Sequence, residues 1–168
     1  LDNDIRPIVE AALVTAENVD LSSVDLPGPT GESNRLSLHP RGTVLCFGDL
    51  GSGNATMMLG QAVLALALGN AVVAIAPGAV SAVSTLRAAS APVTAIDGRI
   101  TSASLETCNP FDALVADGPS GALVEVRRAL AARGGAIVPL VIGHADPHRL
   151  LVERALCVDT TAAGGNAQ

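Results

Sequence analysis

The chain has 168 residues, of which 49% are hydrophobic, 15% are charged and 1% are aromatic, and its formal net charge is −6. This length favours one compact domain, and the high apolar fraction excludes intrinsic disorder for most of the chain. The acidic balance and the near absence of aromatic side chains exclude a general nucleic-acid binder. The chain has no lysine, so Schiff-base and P-loop chemistry are excluded as well.

The cysteines and histidines form no recognisable site in the sequence. The three cysteines are odd in number and widely spaced, which indicates neither a disulfide framework nor a zinc site. Cys46 and Cys157 lie in apolar runs and are predicted to be buried, in keeping with a reducing cytoplasm. His39, His144 and His148 are predicted to be solvated surface residues rather than metal ligands.

The ends and the apolar middle of the chain bear on its location. The first residues, LDNDIRPIVE, lack the regions of a signal peptide, and the missing initial Met suggests a piece of a longer chain. The uncharged stretch between Asp49 and Arg87 is interrupted by glycine and proline at 51–54, 69–70 and 77–78. It therefore predicts a buried helix followed by a buried strand rather than a membrane span.

The predicted elements begin with an amphipathic helix over 4–17, capped by Asp4 and with Pro7 in its first turn. Residues 21–35 are rich in Pro, Gly and Ser and predict an exposed connection. We therefore divide the chain into a helical lead-in (1–20), that connection (21–35), a globular domain (36–159) and a Gly-rich tail (160–168).

Strands and helices alternate in the globular domain. Strands are predicted over 43–48, 71–76, 92–96, 111–116, 136–143 and 155–160, helices over 54–68, 78–90, 120–133 and 145–154, and an irregular stretch over 97–110. Pro139 predicts an edge position or a bulge for its strand. The alternation predicts a Rossmann-like open α/β fold, a mainly parallel sheet with helices on both faces, plus an N-terminal helix and a C-terminal strand and tail.

A glycine-rich turn between the first strand and its helix is the first candidate site. Gly48, Gly51 and Gly53 could let backbone N–H groups approach the pyrophosphate of NAD, and DLGSGNA also resembles the first motif of S-adenosylmethionine-dependent methyltransferases. The third glycine of the dinucleotide fingerprint is replaced by Thr56 or Met57, and no acid for a ribose follows the second strand. The alternative is a tight turn that uses glycine because its φ must be positive.

A second candidate is Ser120 in Gly-Pro-Ser-Gly, followed later by Asp146 and His148, the order found in α/β-hydrolases. The elbow pattern fails because Ala122 occupies its last glycine position. The alternative is that Ser120 or Asp117 caps a helix.

Three segments together resemble a known family: LPGPTGESNRLSLHPRGTVLCFG (26–48), GNAVVAIAPGA (69–79) and VERALCVDTTAAGGNA (152–167). They are similar to the C-terminal region of long proline utilisation A proteins, bifunctional flavoenzymes that oxidise proline to glutamate. The resemblance implies a parent with an FAD-dependent proline dehydrogenase module and an NAD-dependent glutamate-semialdehyde dehydrogenase module. It also implies that this chain is built like the NAD-binding domain of an aldehyde dehydrogenase.

The resemblance also implies that the chain itself is not catalytic. Aldehyde dehydrogenases follow GN-x-VV with a lysine that contacts the adenosine ribose, and here Ile75 or Ala76 stands in its place. The catalytic cysteine segment and the L-E-L-G-G motif of the family do not occur in the chain. We therefore expect no catalytic residue and no cofactor in this chain, with Gly48, Gly51 and Gly53 as weak cofactor candidates.

The same resemblance implies docking on the dehydrogenase module of the parent, where the tail helps to seal the route of the intermediate. The tail residues concerned are Thr160, Thr161, Ala162, Ala163, Gly164, Gly165 and Asn166. Two alternatives stay open: a nucleotide-binding domain for NAD or S-adenosylmethionine with its own activity, and a dimerisation module that pairs through the apolar ALCVDT edge.

Overall fold

The structure, a computed structural model, describes residues 5–143 and 146–159. The helices are α1 (Arg6–Glu17), α2 (Ala55–Ala67), α3 (Ala79–Ala82), α4 (Ser84–Ala88), α5 (Ser102–Thr107) and α6 (Ser120–Ala132), with a 3₁₀ helix at Pro147–Leu150. The strands are β1 (Val24–Leu26), β2 (Glu32–Pro40), β3 (Thr43–Asp49), β4 (Ala71–Ile75), β5 (Val93–Ile96), β6 (Ala113–Asp117), β7 (Leu140–Ile142) and β8 (Leu151–Asp159).

Five of the strands form one parallel sheet in the order β5-β4-β3-β6-β7. The chain runs outward from β3 to β4 and β5, then returns to the other side of β3 for β6 and β7. This arrangement confirms the predicted Rossmann-like fold. It also places β7 at an edge of the sheet, as Pro139 predicted, although the strand begins just after that proline.

The sheet is covered on both faces, which explains the continuous apolar runs of its strands. In β3, Val44 and Cys46 lie in the core cluster that contains α2, whereas Leu45 and Phe47 lie in the cluster that contains α6. Successive side chains of a strand point to opposite faces, so one strand supplies both layers. Burial raises the pKa of the Cys46 thiol well above its usual range.

The N-terminal helix belongs to the first of these layers. α1 packs on α2 and buries Ala12 and Ala16 in the same cluster as β3 and β4. Its first residue follows Ile5, whose side chain makes no capping hydrogen bond, and the predicted cap Asp4 lies outside the described residues. The division of the chain at 21–35 stays a prediction.

A second, antiparallel sheet of order β1-β2-β8 corrects three predictions. Residues 21–35 are mostly exposed as predicted, but they contain β1 and the start of β2. The predicted helix over 145–154 is wrong, because only the 3₁₀ turn forms and β8 begins at Leu151. His39, predicted to be a solvated surface residue, is half-buried in β2, with its Nε2 2.9 Å from Oγ of Ser37. Pairing between segments distant in sequence overrides the local pattern in each case.

Four smaller corrections concern single segments. The predicted helix over 78–90 is divided at Val83 into α3 and α4, and the irregular stretch contains α5, which Thr101 caps through Ser104 N–H. Neither Ser120 nor Asp117 caps α6, since the cap position is Pro119. Cys157 is exposed rather than buried, because no layer covers β8 at that point.

Arg133, just after α6, holds the connection between α5 and β6. Its guanidinium donates to the carbonyl oxygens of Leu105, Cys108 and Asn109 and stacks on the Phe111 ring at 4.5 Å. A planar guanidinium can make these contacts at once, which the point charge of a lysine cannot.

Candidate functional site

The glycine turn lies at the carboxyl end of β3, between β3 and α2. In an open parallel sheet, ligands bind outside the carboxyl ends of the strands where the strand order reverses. That reversal falls between β3 and β6 here, so the turn occupies the position where this fold binds nucleotides.

The glycines are there because the backbone requires them. Gly48 and Gly53 each have a φ of +67°, and a Cβ on Gly48 would lie 2.5 Å from the carbonyl oxygen of Asn54. Gly51 is packed against Pro119, whose Cδ would lie 3.3 Å from a Cβ. The tight-turn interpretation, which requires a positive φ, accounts for Gly48 and Gly53 without a ligand, whereas Gly51 has no positive φ and is only closely packed.

Three N–H groups of the turn, those of Leu50, Ser52 and Gly53, are bound within the protein. Leu50 N–H donates to the carbonyl oxygen of Asp117 at 2.8 Å, and Gly53 N–H donates to that of Asp49 at 2.7 Å. Ser52 donates to the Asp49 carboxylate through its N–H at 2.5 Å and its hydroxyl at 2.9 Å. The hydrogen bond from the Ser52 N–H, more than any other contact, lowers the pKa of Asp49. The carboxylate of Asp49 thus occupies donors that a phosphate would need.

The carbonyl groups of the turn face a cation from the same chain. Arg99 donates to the carbonyl oxygens of Leu50, Gly51 and Ser52 at 3.4, 3.2 and 2.9 Å. Its guanidinium covers Gly53, where a Cβ would lie 2.7 Å from Nη2. The turn therefore presents acceptors to a positive group, which is the opposite of a pyrophosphate site.

Two open crevices lie beside the turn. The crevice next to Asp49 and Arg99 has a volume of about 70 Å³, and the one on the other side of Leu50 and Ile100 has a volume of about 300 Å³. Ile75 and Ala76, which stand where the family resemblance expects a lysine, are both buried. Asp97, directly after β5, accepts a hydrogen bond from the N–H of Val80 at 2.9 Å and so caps the short helix α3. The residues present do not supply the contacts to phosphate and ribose that a dinucleotide or S-adenosylmethionine requires.

Gln61 on α2 is the residue that the sequence analysis missed. Its side chain is fully buried; it accepts a hydrogen bond from Gly48 N–H at 2.8 Å and donates to the Gly48 carbonyl oxygen at 3.2 Å. It also donates to the Asp117 carboxylate at 3.1 Å. A polar residue within the buried run of an apolar helix is the signal that could have revealed it.

The Gly-Asn pair of the GN-x-VV motif has a structural role in this chain. Asn70 accepts from Gly42 N–H at 3.0 Å and donates to the carbonyl oxygens of Ala65 and Leu150 at 3.1 and 3.2 Å. A Cβ on Gly69 would lie 2.7 Å from the ring of Pro40. The motif therefore joins α2 to the turn before β3 and to the chain before β8.

The hydrolase candidate is not assembled. In the described part of the chain, Ser120, Asp146 and His148 share no hydrogen bond, and both Ser120 and His148 are exposed. The described residues contain no group of three His, Cys, Asp or Glu that could hold a metal ion, and His144 lies outside them. Nor does any helix within 5–143 and 146–159 have the length and apolar character to cross a membrane.

The second sheet, which we call the arm (β1, β2 and β8), leaves apolar side chains exposed. From Glu153 to Asp159 every residue of β8 is exposed, so the described part of the chain covers neither face of the strand there. Leu156 and Val158 expose 61% and 44% of their surface, and Val24 on β1 exposes 52%. The predicted tail, Thr160–Asn166, continues from this strand and lies outside the described residues.

Relatives of the chain are bifunctional proteins much longer than it is. It is 40% identical over 150 residues to the bifunctional protein PutA of Salmonella typhimurium and 39% identical over 150 residues to that of Escherichia coli. Each alignment covers 84% of this chain and 11% of the relative. The chain therefore spans about a tenth of the length of the curated relatives it matches.

Solved structures of proline utilization A and of an aldehyde dehydrogenase also resemble this chain. A variant of Bradyrhizobium japonicum proline utilization A is 32% identical, with a TM-score of 0.61 over 83% of this chain and 15% of that one. An NAD-dependent benzaldehyde dehydrogenase from Corynebacterium glutamicum is 17% identical, with a TM-score of 0.67 over 83% of this chain and 32% of that one, which shows a shared fold. No family model matches the chain.

Proposed function

Since the chain is a PutA-related domain with the aldehyde dehydrogenase fold, we propose that it is a non-catalytic C-terminal domain of a bifunctional proline-catabolic enzyme. In this proposal it docks on the dehydrogenase module of the same parent chain in the cytoplasm and helps to seal the route of the intermediate. The FAD and NAD of the reaction belong to the other modules of the parent.

The occupied glycine turn is the observation that carries the non-catalytic part of the proposal. The turn holds a carboxylate from Asp49 on its N–H groups and a guanidinium from Arg99 on its carbonyl groups. A ligand would have to displace both groups to reach the backbone. The fold is thus kept while its nucleotide position is filled by the chain itself.

The exposed arm supports the docking part. A small antiparallel sheet needs a covered apolar face to be stable, and β8 has neither face covered over most of its length. About nine tenths of a PutA relative lies outside the region that this chain matches, which leaves ample surface to cover the arm. The dehydrogenase module is the occupant we propose.

Sealing has a clear chemical purpose in a proline-oxidising enzyme. The intermediate pyrroline-5-carboxylate is small and hydrolyses reversibly to the semialdehyde, so a route closed to bulk water keeps its local concentration high. The tail over 160–166 has small side chains and two glycines, which allow its backbone to lie close against a partner.

Calorimetric titration tests the non-catalytic part. NAD⁺ and S-adenosylmethionine are titrated separately into the chain, and we expect no saturable heat with a Kd below about 100 μM, which corresponds to roughly −5.5 kcal/mol. Amide shifts confined to residues 48–54 under NAD⁺, together with saturation, would establish the nucleotide-binding alternative instead.

Substitutions on the arm test docking in the full-length parent. Leu156→Ser combined with Val158→Ser removes exposed apolar surface, so the isolated fold should keep its stability. In the parent we expect a lag in NADH formation from proline and more intermediate captured by a trapping amine. Val14→Ser on α1 is the matched control, because Val14 is 55% exposed and lies outside the arm. Equal behaviour of both variants and the wild type would refute arm docking.

Truncation after Asp159 separates the tail from the arm. If the tail seals the route, this variant should leak intermediate while the domain still resists proteolysis in the parent. A truncated parent with no lag and no leakage would show that the tail has no sealing role.

A dimerisation module is a second candidate, favoured by the outer edge of β8, which pairs with no strand in the described part of the chain. Sedimentation of the chain separates the two. A dimer that dissociates on Leu156→Ser would favour self-pairing of the arm over docking on the dehydrogenase module.

A further inference from the structure

A groove on one wall of the domain lies far from the glycine turn. It has a volume of about 480 Å³ and lies at the amino end of β7, between that strand and the end of α6. Residues that line it include Arg127, Leu130, Arg133, Ile137, Pro139 and Arg149. The glycine turn is at the opposite, carboxyl end of the same parallel sheet.

The groove is positively charged although the chain is acidic. Three of the ten arginines line it, and none of its lining residues is Asp or Glu. Arg133 is committed to the carbonyl groups after α5. The side chains of Arg127 and Arg149 make no hydrogen bond or ion pair with any residue of 5–143 or 146–159. Two guanidinium groups are therefore available to an anionic partner.

The wall of the groove is an open strand edge. β7 pairs with β6 on one side only, and residues 137–139 before it belong to no helix or strand in the described chain, although the carbonyl oxygen of Pro139 accepts from Leu114 N–H at 3.0 Å. Ile137 in this segment is 95% exposed, although isoleucine is among the residues most often buried. An unpaired edge beside an exposed apolar side chain is the geometry that accepts an added strand.

We propose that this groove binds an extended segment with carboxylate side chains, which adds to the edge of β7 and packs on Ile137 while Arg127 and Arg149 hold its carboxylates. A second copy of the chain fits less well, because a twofold contact brings the same patch against itself. Arg127 and Arg149 would then face arginines of the other copy. This proposal does not depend on docking through the arm.

The test uses an eight-residue acetylated peptide of alternating Glu and Val, and a counterpart with Lys in place of Glu. The chain labelled with ¹⁵N is titrated with each peptide, and the dependence of the amide shifts on peptide concentration gives the Kd. We expect amide shifts at residues 136–142 and next to Arg127 and Arg149, binding of the Glu peptide only, and weaker binding as salt rises from about 50 to 300 mM. Arg127→Gln combined with Arg149→Gln should raise the Kd by about fivefold or more.

Arg128→Gln is the matched control, since Arg128 is exposed on the same helix but does not line the groove. Its Kd should stay within about twofold of the wild type. Ile137→Ser should also weaken binding without loss of fold. Equal binding of the Lys peptide, equal effects of the control, or amide shifts away from the groove would overturn the proposal. So would a dimer that Ile137→Ser dissociates, because this face would then be a copy interface.

Discussion

Replacement of Gln61 by methionine tests how the turn is held. Gly48 lies where the pairing of β3 with β6 shifts register between Cys46 and Asp49. The side-chain amide of Gln61 supplies hydrogen bonds to both backbone groups of Gly48 at this point. Gln61→Met keeps the length of the side chain but removes its donor and its acceptor.

The expected cost follows from the groups left unpaired. The N–H and the carbonyl of Gly48 each lose a partner in a buried setting, at about 1–3 kcal/mol per group. The free energy of unfolding should therefore fall by about 2–6 kcal/mol, out of a total of about 5–15 kcal/mol for a domain.

Urea unfolding followed by far-UV circular dichroism measures this loss, because the chain has no Trp or Tyr for fluorescence. Leu64→Met is the control, since Leu64 is fully buried on the same helix and the swap should cost less than about 1.5 kcal/mol. A loss for Gln61→Met no larger than that of the control would refute the role of the amide.

Three further predictions concern charge and backbone. Gly53→Ala should lose about 1–2 kcal/mol in urea unfolding because its φ is +67°, whereas Gly121→Ala, in open space on α6, should gain about 0.5–1 kcal/mol. Because the pKa of Asp49 is lowered in the folded state, its carboxylate stabilises the fold above the unfolded pKa of about 3.9. The free energy of unfolding of the wild type should therefore exceed that of Asp49→Asn by less and less as the pH falls below that value. A difference in unfolding free energy that does not change with pH would contradict this. Arg133→Lys should cost about 1–3 kcal/mol and exposed Arg128→Lys at most about 0.5 kcal/mol, by the same assay.

The parallel sheet could be predicted because its signals are local. β3 and β4 are continuous apolar runs, and α2 begins at Asn54, whose side chain accepts from Thr56 N–H, and ends before Gly69. The arm could not be predicted, because β2 is mostly polar, has only Leu36 and Leu38 in apolar alternation, and pairs with β8 more than a hundred residues away. The hydrogen bonds of the arm form because the fold brings distant segments together, and the local residue pattern does not indicate them.

The position of the candidate site could be predicted from the sequence, but the side chains that fill it could not. Glycine spacing between a strand and a helix placed the turn correctly and suggested that positive φ angles explain it. Arg99 lies in the loop after β5, and no sequence spacing predicts that its guanidinium donates to the carbonyl oxygens of Gly51 and Ser52. Gln61 was detectable in principle, as a polar residue in an apolar helix.

The free edge of β8 has a consequence for how such a domain can be handled on its own. A nine-residue strand that the described part of the chain leaves mostly exposed is a template for further strands, so we expect the isolated chain to aggregate readily. That strand carries the charged residues Glu153, Arg154 and Asp159, and the whole chain has a formal net charge of −6. Copies of the chain therefore repel each other electrostatically. High salt screens this repulsion, so concentrated preparations should be clearest at low ionic strength.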